Sequence, residues 1–217
     1  MLKPKNPQLS ILIMIFIICS FLQIASFSTE RVAPDDVQQA AESGFKHFLD
    51  AIPANDLDHF GFAKGVDFNK VTLGRPFKVY QIVPELIQNH DSHAIMSSLL
   101  SPTKLWYFPL IYEREYRTLL TVDYIKNEWK AVALGSSGIA SELNLVEQKF
   151  GSEYLFVRIF QAASDFLIFS IDGIQKIMPL ESTKISLKLD SFSDNKYKLY
   201  NPNYLIPKFI QAINLNE

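Results

Sequence analysis

Cysteine is almost missing from this chain. The one copy, Cys19, sits inside an uncharged apolar run, so the rest of the sequence has neither a disulfide nor a thiolate nucleophile. Ile18 directly before it is too bulky for a lipoprotein signal, which needs a small residue there. Histidine is scarce as well, with four copies. Zinc takes three or four ligands, yet only His90 and His93, in NHDSH, have a spacing that suits one ion; His47 and His59 stand far from them. The sequence implies neither a metal nor a cofactor. No asparagine is followed two places on by Ser or Thr, so there is no N-glycosylation acceptor. An exported chain lacking both disulfides and glycan sites fits a bacterial envelope better than a eukaryotic exterior. Nor is there an excess of one charge: 21 basic residues face 23 acidic ones, which excludes the basic face a nucleic-acid binder needs.

What the chain does have is a long apolar start. Leu9 to Phe27 carries no charge, Lys3 and Lys5 precede it, and Thr29-Glu30-Arg31 follow. A basic start followed by an apolar stretch reads as an export signal. Two fates fit. Ala25, Ser26 and Ser28 supply small residues for cleavage, whereas nineteen apolar positions also suffice for a retained anchor with its lysines in the cytoplasm. Residues 1–28 are therefore expected to be a signal peptide or membrane anchor, and any membrane contact is expected through that segment alone. Residues 29–196 are expected to form one α+β domain, and 197–217 a tail with a short helix after Pro207. Seventeen Phe and nine Tyr rule out a disordered chain and promise a sizeable core.

Periodicity supplies the elements. Val37, Ala40, Ala41, Phe45, Phe48, Leu49 and Ile52 recur at helical spacing, so a helix is expected from Pro34 to Ala51, stopped by Pro53. Asn55 to Arg75 reads as a long loop with a short strand. Pro76 to Ile82 reads as a strand, and Pro84 to Leu100 as a weak helical patch. Leu105–Tyr112, Arg117–Tyr124 and Glu128–Leu134 form a meander with turns at 113–115 and Lys126-Asn127. A second helix covers Ile139 to Phe150. A second meander follows in Tyr154–Gln161, Phe166–Ile171, Ile174–Leu180 and Lys184–Leu189, with Asp172-Gly173 as its clearest hairpin signal. The fold class is thus α+β: a largely antiparallel sheet of meanders with two main helices. Two α-βββ units side by side would place helices on one face of that sheet.

Candidate chemistry is thin, and no residue stands out as catalytic. In the expected strand 154–161, Phe156, Arg158 and Phe160 share one face. Arg158 reads either as an anion anchor in an aromatic cleft or as the ion-pair partner of Asp123, Asp165 or a helix carboxylate. Trp106-Tyr107-Phe108-Pro109 is the densest aromatic cluster. Pro109 lacks a ladder donor, so the segment reads as an edge strand suited to peptide capture, or else as core. Ser136 and Ser137, in LGSSG between a strand and a helix, suit anion docking at a helix start or a simple N-cap. GSSG misses the G-x-S-x-G elbow by one position. Asp56/Asp58 and Asp190/Asp194 read as solvated loop carboxylates. These residues point to an exported domain that binds a ligand or an envelope protein. An envelope hydrolase using carboxylates and a membrane-anchored assembly factor are the rival expectations.

Overall fold

The computed structural model describes residues 31–89, 95–189 and 197–214. The sheet elements are β1 (Thr72–Leu73), β2 (Phe77–Ile82), β3 (Leu100–Tyr112), β4 (Glu115–Ile125), β5 (Glu128–Gly135), β6 (Tyr154–Ile159), β7 (Ser164–Ile171) and β8 (Ile174–Pro179). The helices are α1 (Asp35–Asp50), α2 (Pro84–Gln88), α3 (Ser137–Phe150), α4 (Glu181–Ser186) and α5 (Pro202–Asn214). All eight strands form one sheet in the order β5-β4-β3-β2-β6-β7-β8, with β1 pairing with the far end of β3. The α+β class expected from the sequence is observed.

Each meander is closed by tight turns at residues that accept positive φ. Glu113-Arg114, Lys126-Asn127 and Asp172-Gly173 all adopt it, as two-residue hairpins of primed type demand. The two meanders meet at one seam, where β2 and β6 run parallel through Val79↔Phe156, Tyr80↔Val157 and Gln81↔Arg158. Every other pairing is antiparallel.

That parallel seam corrects the expectation of helices on one face. Side chains alternate along a strand, so Trp106 and Phe108 lie opposite Tyr107, and Val157 lies opposite Phe156. α1 packs its Val37, Ala41 and Leu49 against the face bearing Trp106, Phe108, Leu120 and Val122. α5 covers the same face further along, where Phe209 stacks on Phe166 with ring centres 4.7 Å apart, above Leu155 and Val157. α3 covers the other face, setting Ala140, Leu143 and Val146 on Phe77, Tyr107, Leu119, Tyr154 and Phe156. Units whose first strands run parallel and whose meanders grow outward are related by rotation about an axis along the strands. Such a rotation carries one unit's helix to the opposite face.

Three elements differ from the sequence reading. Glu181–Ser186 is a helix, although Ile185, Leu187 and Leu189 alternate like a strand. The outer side of β8 is already occupied at Ile177, which exchanges both backbone bonds with Tyr200. Thr183 Oγ1 instead donates to the Asp165 carbonyl, and the Glu142 carboxylate accepts the Glu181 N–H at 3.2 Å, so the segment is pinned as a helical turn. α5 starts at Pro202 and runs through Pro207. An interior proline costs about 3 kcal/mol, and the buried stripe Leu205, Ile206, Phe209, Ala212 and Ile213 offsets it. β6 ends at Ile159, leaving Phe160 in a 3-10 turn rather than on the face of Arg158.

Candidate functional site

Trp106 to Pro109 is not an edge. β3 lies between β4 and β1/β2, and all four side chains are buried. The proline is tolerated because its neighbouring strand is interrupted there. Its carbonyl accepts the Gly74 N–H at 2.7 Å, and its missing donor faces the 74–76 break between β1 and β2. Gly74 is required at this crossing, since a Cβ would lie 2.9 Å from both the Pro109 ring and Ile111. Trp106 points toward α1, with the Lys78 ammonium 4.6 Å above its ring.

Tyr107 and Arg158 do come together, on the α3 face. Arg158 Nη1 lies 3.4 Å from Tyr107 Oη and 3.3 Å from Asp165 Oδ1, its cross-strand neighbour. Asp165 is a buried carboxylate, at 1 % exposure. Burial pushes its pKa up to about 6, although Arg158 and the Ser182 hydroxyl pull the other way. The attraction loses because Arg158 meets only one oxygen, and Ser182 reaches the other at a long 3.5 Å. The backbone of Asp165 also holds α4, receiving Leu180 N–H and the Thr183 hydroxyl on its carbonyl. This is a structural latch between β7 and α4 as well as a charged pair.

A second buried charge was missed by sequence reasoning. Arg31, at 4 % exposure, lies over the Phe77 ring with 3.8 Å to its centre and bonds Glu147 at 2.8 Å. Glu147 in turn accepts the hydroxyls of Tyr116 at 2.7 Å and Tyr154 at 2.9 Å. Burial, then the Glu147 carboxylate, pushes Tyr116 up to about 12 and Tyr154 well above its usual value. Both phenols therefore stay protonated and keep donating. The cluster joins Phe77 of β2, Tyr154 of β6 and α3, so Arg31 fastens the chain's entry to the seam itself. Nothing about an isolated TER in the sequence signals this.

Ser136 takes the left-handed conformation (φ 60°) before α3, and its side chain caps nothing. The Ser137 hydroxyl donates to the His59 carbonyl at 2.8 Å, tying the 57–60 turn to the helix start. His47 and His59 are both exposed and belong to different elements, and His90, His93, Asp190 and Asp194 lie outside the described residues. Among the described residues no three His, Cys, Asp or Glu side chains are grouped to hold a metal. Asp56 and Asp58 are exposed beside and within the 57–60 turn, and Asp123 lies on β4.

An open concavity lies elsewhere, between α1 and the outer hairpin. It encloses about 640 Å³. α1 contributes Asp36, Gln39, Ala40, Ser43 and Gly44; the sheet contributes Tyr124 and the consecutive run 127–131. The two-residue turn at Lys126-Asn127 sets Tyr124 opposite Trp129, and their half-buried rings meet edge to face at 5.1 Å. Lys104 sits 4.6 Å over Tyr124, and Lys78 lies 6.0 Å from the Trp129 ring. At the closed end α1 touches the sheet, because a Cβ on Gly44 would overlap that of Ala131. The expected meander already contained this Tyr–Trp pair; that the meander is outermost and roofed by α1 is a tertiary fact. No protein-family model matches the chain, and no curated protein or solved structure is significantly similar to it.

Proposed function

We propose that this chain is an exported domain of the bacterial cell envelope that works by binding a ligand or partner in the groove between α1 and the β4–β5 hairpin. One observation carries the reading: an open groove of about 640 Å³ with the half-buried Trp129–Tyr124 pair and polar groups from Asp36, Gln39 and Asn127 along its walls. Concave sites of roughly 300–1,000 Å³ with aromatic linings and a few convergent polar groups are the usual form of a binding site. Export rests on the apolar run Leu9–Phe27 behind Lys3 and Lys5.

The test is thermal denaturation of the full chain against metals, nucleotides, sugars, fatty acids and cell-wall fragments. A ligand at a hundred times its Kd adds about 2.7 kcal/mol, or roughly 5–11 °C for a protein of this size. At least one class should raise the melt, and Trp129→Ala should remove the rise. A flat panel over a cooperative melt refutes small-ligand binding.

A second reading, a membrane-anchored assembly factor, is favoured by Arg31. Its burial at the seam gives any segment preceding it a fixed exit point from the fold. N-terminal sequencing separates the two: an intact Met1 supports the anchored factor, and a free end near Thr29 supports release.

A further inference from the structure

Arg31 fixes where any preceding segment leaves the fold, because its guanidinium lies over Phe77 and bonds Glu147 of α3. Phe77 begins β2, and Tyr154, stacked on it at 5.9 Å, begins the parallel β6. Tyr154 pairs with Phe169 near the end of β7. The β7–β8 turn follows two residues later, about 7 Å along the strand, so the chain's entry and this turn share one end of the sheet. The turn is flanked by Ile171 and Ile174, cross-strand partners at 41 % and 57 % exposure. Both side chains continue the face of Phe169. There Phe150 lies 5.7 Å from the Phe169 ring and 6.1 Å from that of half-buried Tyr197. Phe150, one helical turn past Glu147, ends α3. An apolar strip therefore runs from the exposed turn back to the residue that holds Arg31, and Val32 beside Arg31 is exposed as well. Contiguous exposed apolar side chains mark an interaction surface.

We propose that this end of the sheet rests on the lipid bilayer that holds the apolar run Leu9–Phe27, with Ile171 and Ile174 entering its surface. The inference rests on the second reading above, in which that run stays in a membrane. The run ends four positions before Arg31, and four residues span at most about 14 Å. Because Arg31 is held in the fold, the tether is short, and the sheet end bearing it stays close to the bilayer. A turn within that reach meets lipid at high effective concentration, so two exposed isoleucines suffice for a stable contact. Nothing tethers a second copy of the chain in the same way. Lys149 and Lys176 border the strip with apolar stems and ammoniums that reach the headgroups. Asp172 and Glu153 at the same end offset these two charges, so apolar burial and the tether carry the contact, not anionic lipid. The other hairpin at this end stays in water, since Glu113 and Glu115 both pair with Arg117. The protein thus stands on its β6–β8 side, and the β4–β5 turn, at the opposite end of the sheet, points away from the membrane.

The experiment reconstitutes the full chain, with Cys19→Ala, into vesicles of phosphatidylethanolamine and phosphatidylglycerol, and flotation in carbonate shows whether it stays embedded. A nitroxide is attached at Ile174→Cys or at Ile125→Cys, the exposed isoleucine beside the β4–β5 turn at the far end; melting curves check both folds. Collisions with oxygen, which concentrates in lipid, and with a water-soluble nickel chelate report the surroundings of each label. The label at 174 should lose most of its nickel collisions and gain oxygen collisions, while the label at 125 keeps the aqueous pattern. Ile171→Asp should return the 174 label to the aqueous pattern without releasing the chain from the vesicles. If the chain floats and both labels are equally aqueous, the bilayer contact is refuted and the anchored reading stands. A 174 label shielded from both reagents and broadened by a second spin overturns the contact in favour of a second copy. A chain that does not float overturns the anchored reading and this inference together.

Discussion

Asp165 allows a quantitative test of how this sheet tolerates a buried charge. Its pKa rises from 3.8 to about 6 in the fold. That is a little over two pH units, and each unit corresponds to 1.36 kcal/mol, so the ionised carboxylate costs about 3 kcal/mol. The folded protein holds the proton more tightly than the unfolded chain does. The contribution to stability is therefore fully present below pH 3.8 and is lost as pH rises through about 6. The groups facing Asp165 are Arg158 on β6, Ser182 on α4, Glu142 on α3 and Tyr107 on β3. Asp165→Asn keeps the shape and the Ser182 contact but cannot ionise. Melting temperatures of both proteins, taken from pH 4 to pH 8, remove the titrations they share. The variant should gain on the wild type by about 6–12 °C between those limits, with most of the change between pH 4 and pH 7. A difference that stays constant across the range would show that Arg158, at 3.3 Å, fully compensates the burial, and would refute the reasoning.

Two further outcomes follow from the packing. Arg31→Ala leaves Glu147 without its cation beneath α3, and urea denaturation should show a loss of about 3 kcal/mol; a loss under about 1 kcal/mol would mean that the Tyr116 and Tyr154 hydroxyls alone suffice. Gly44→Ala should lose about 1–2 kcal/mol despite better helix propensity, because α1 must lift off Ala131, and adding Ala131→Gly should restore most of it. Additive costs in that double variant would contradict the close approach.

Much of the fold is legible in the sequence because most of its strands are joined by local hairpins. Lys126-Asn127 and Asp172-Gly173 name their turns, and the 3.6-residue stripe from Val37 to Ile52 names α1. What is not legible depends on position in the sheet. A proline reads as an edge signal, yet Pro109 is central, because the break that excuses it lies 33 residues earlier at Pro76. Lys184–Leu189 alternates like a strand, but Tyr200 has already taken the edge of β8. Arg158 with Asp165 was among the expected ion pairs, and the structure brings that pair together. Trp129 is not legible as a site residue, because a half-buried aromatic on a strand looks like any other core residue until the strand is known to be last.

The seam between β2 and β6 also fixes an order of events. Val79 and Phe156 are 77 positions apart, whereas the β3–β4, β4–β5, β6–β7 and β7–β8 hairpins each close over a handful of residues. Loop-closure entropy grows as (3/2)RT ln n, so joining the two meanders costs about 2–3 kcal/mol more than forming one hairpin. Each meander can be assembled from its own neighbours, and the join waits for both. In a chain that emerges N-terminus first, the strand-exposed flank of β2 stands open until Tyr154–Ile159 arrives. For that interval the protein has two bare edges, and only one of them survives in the finished sheet.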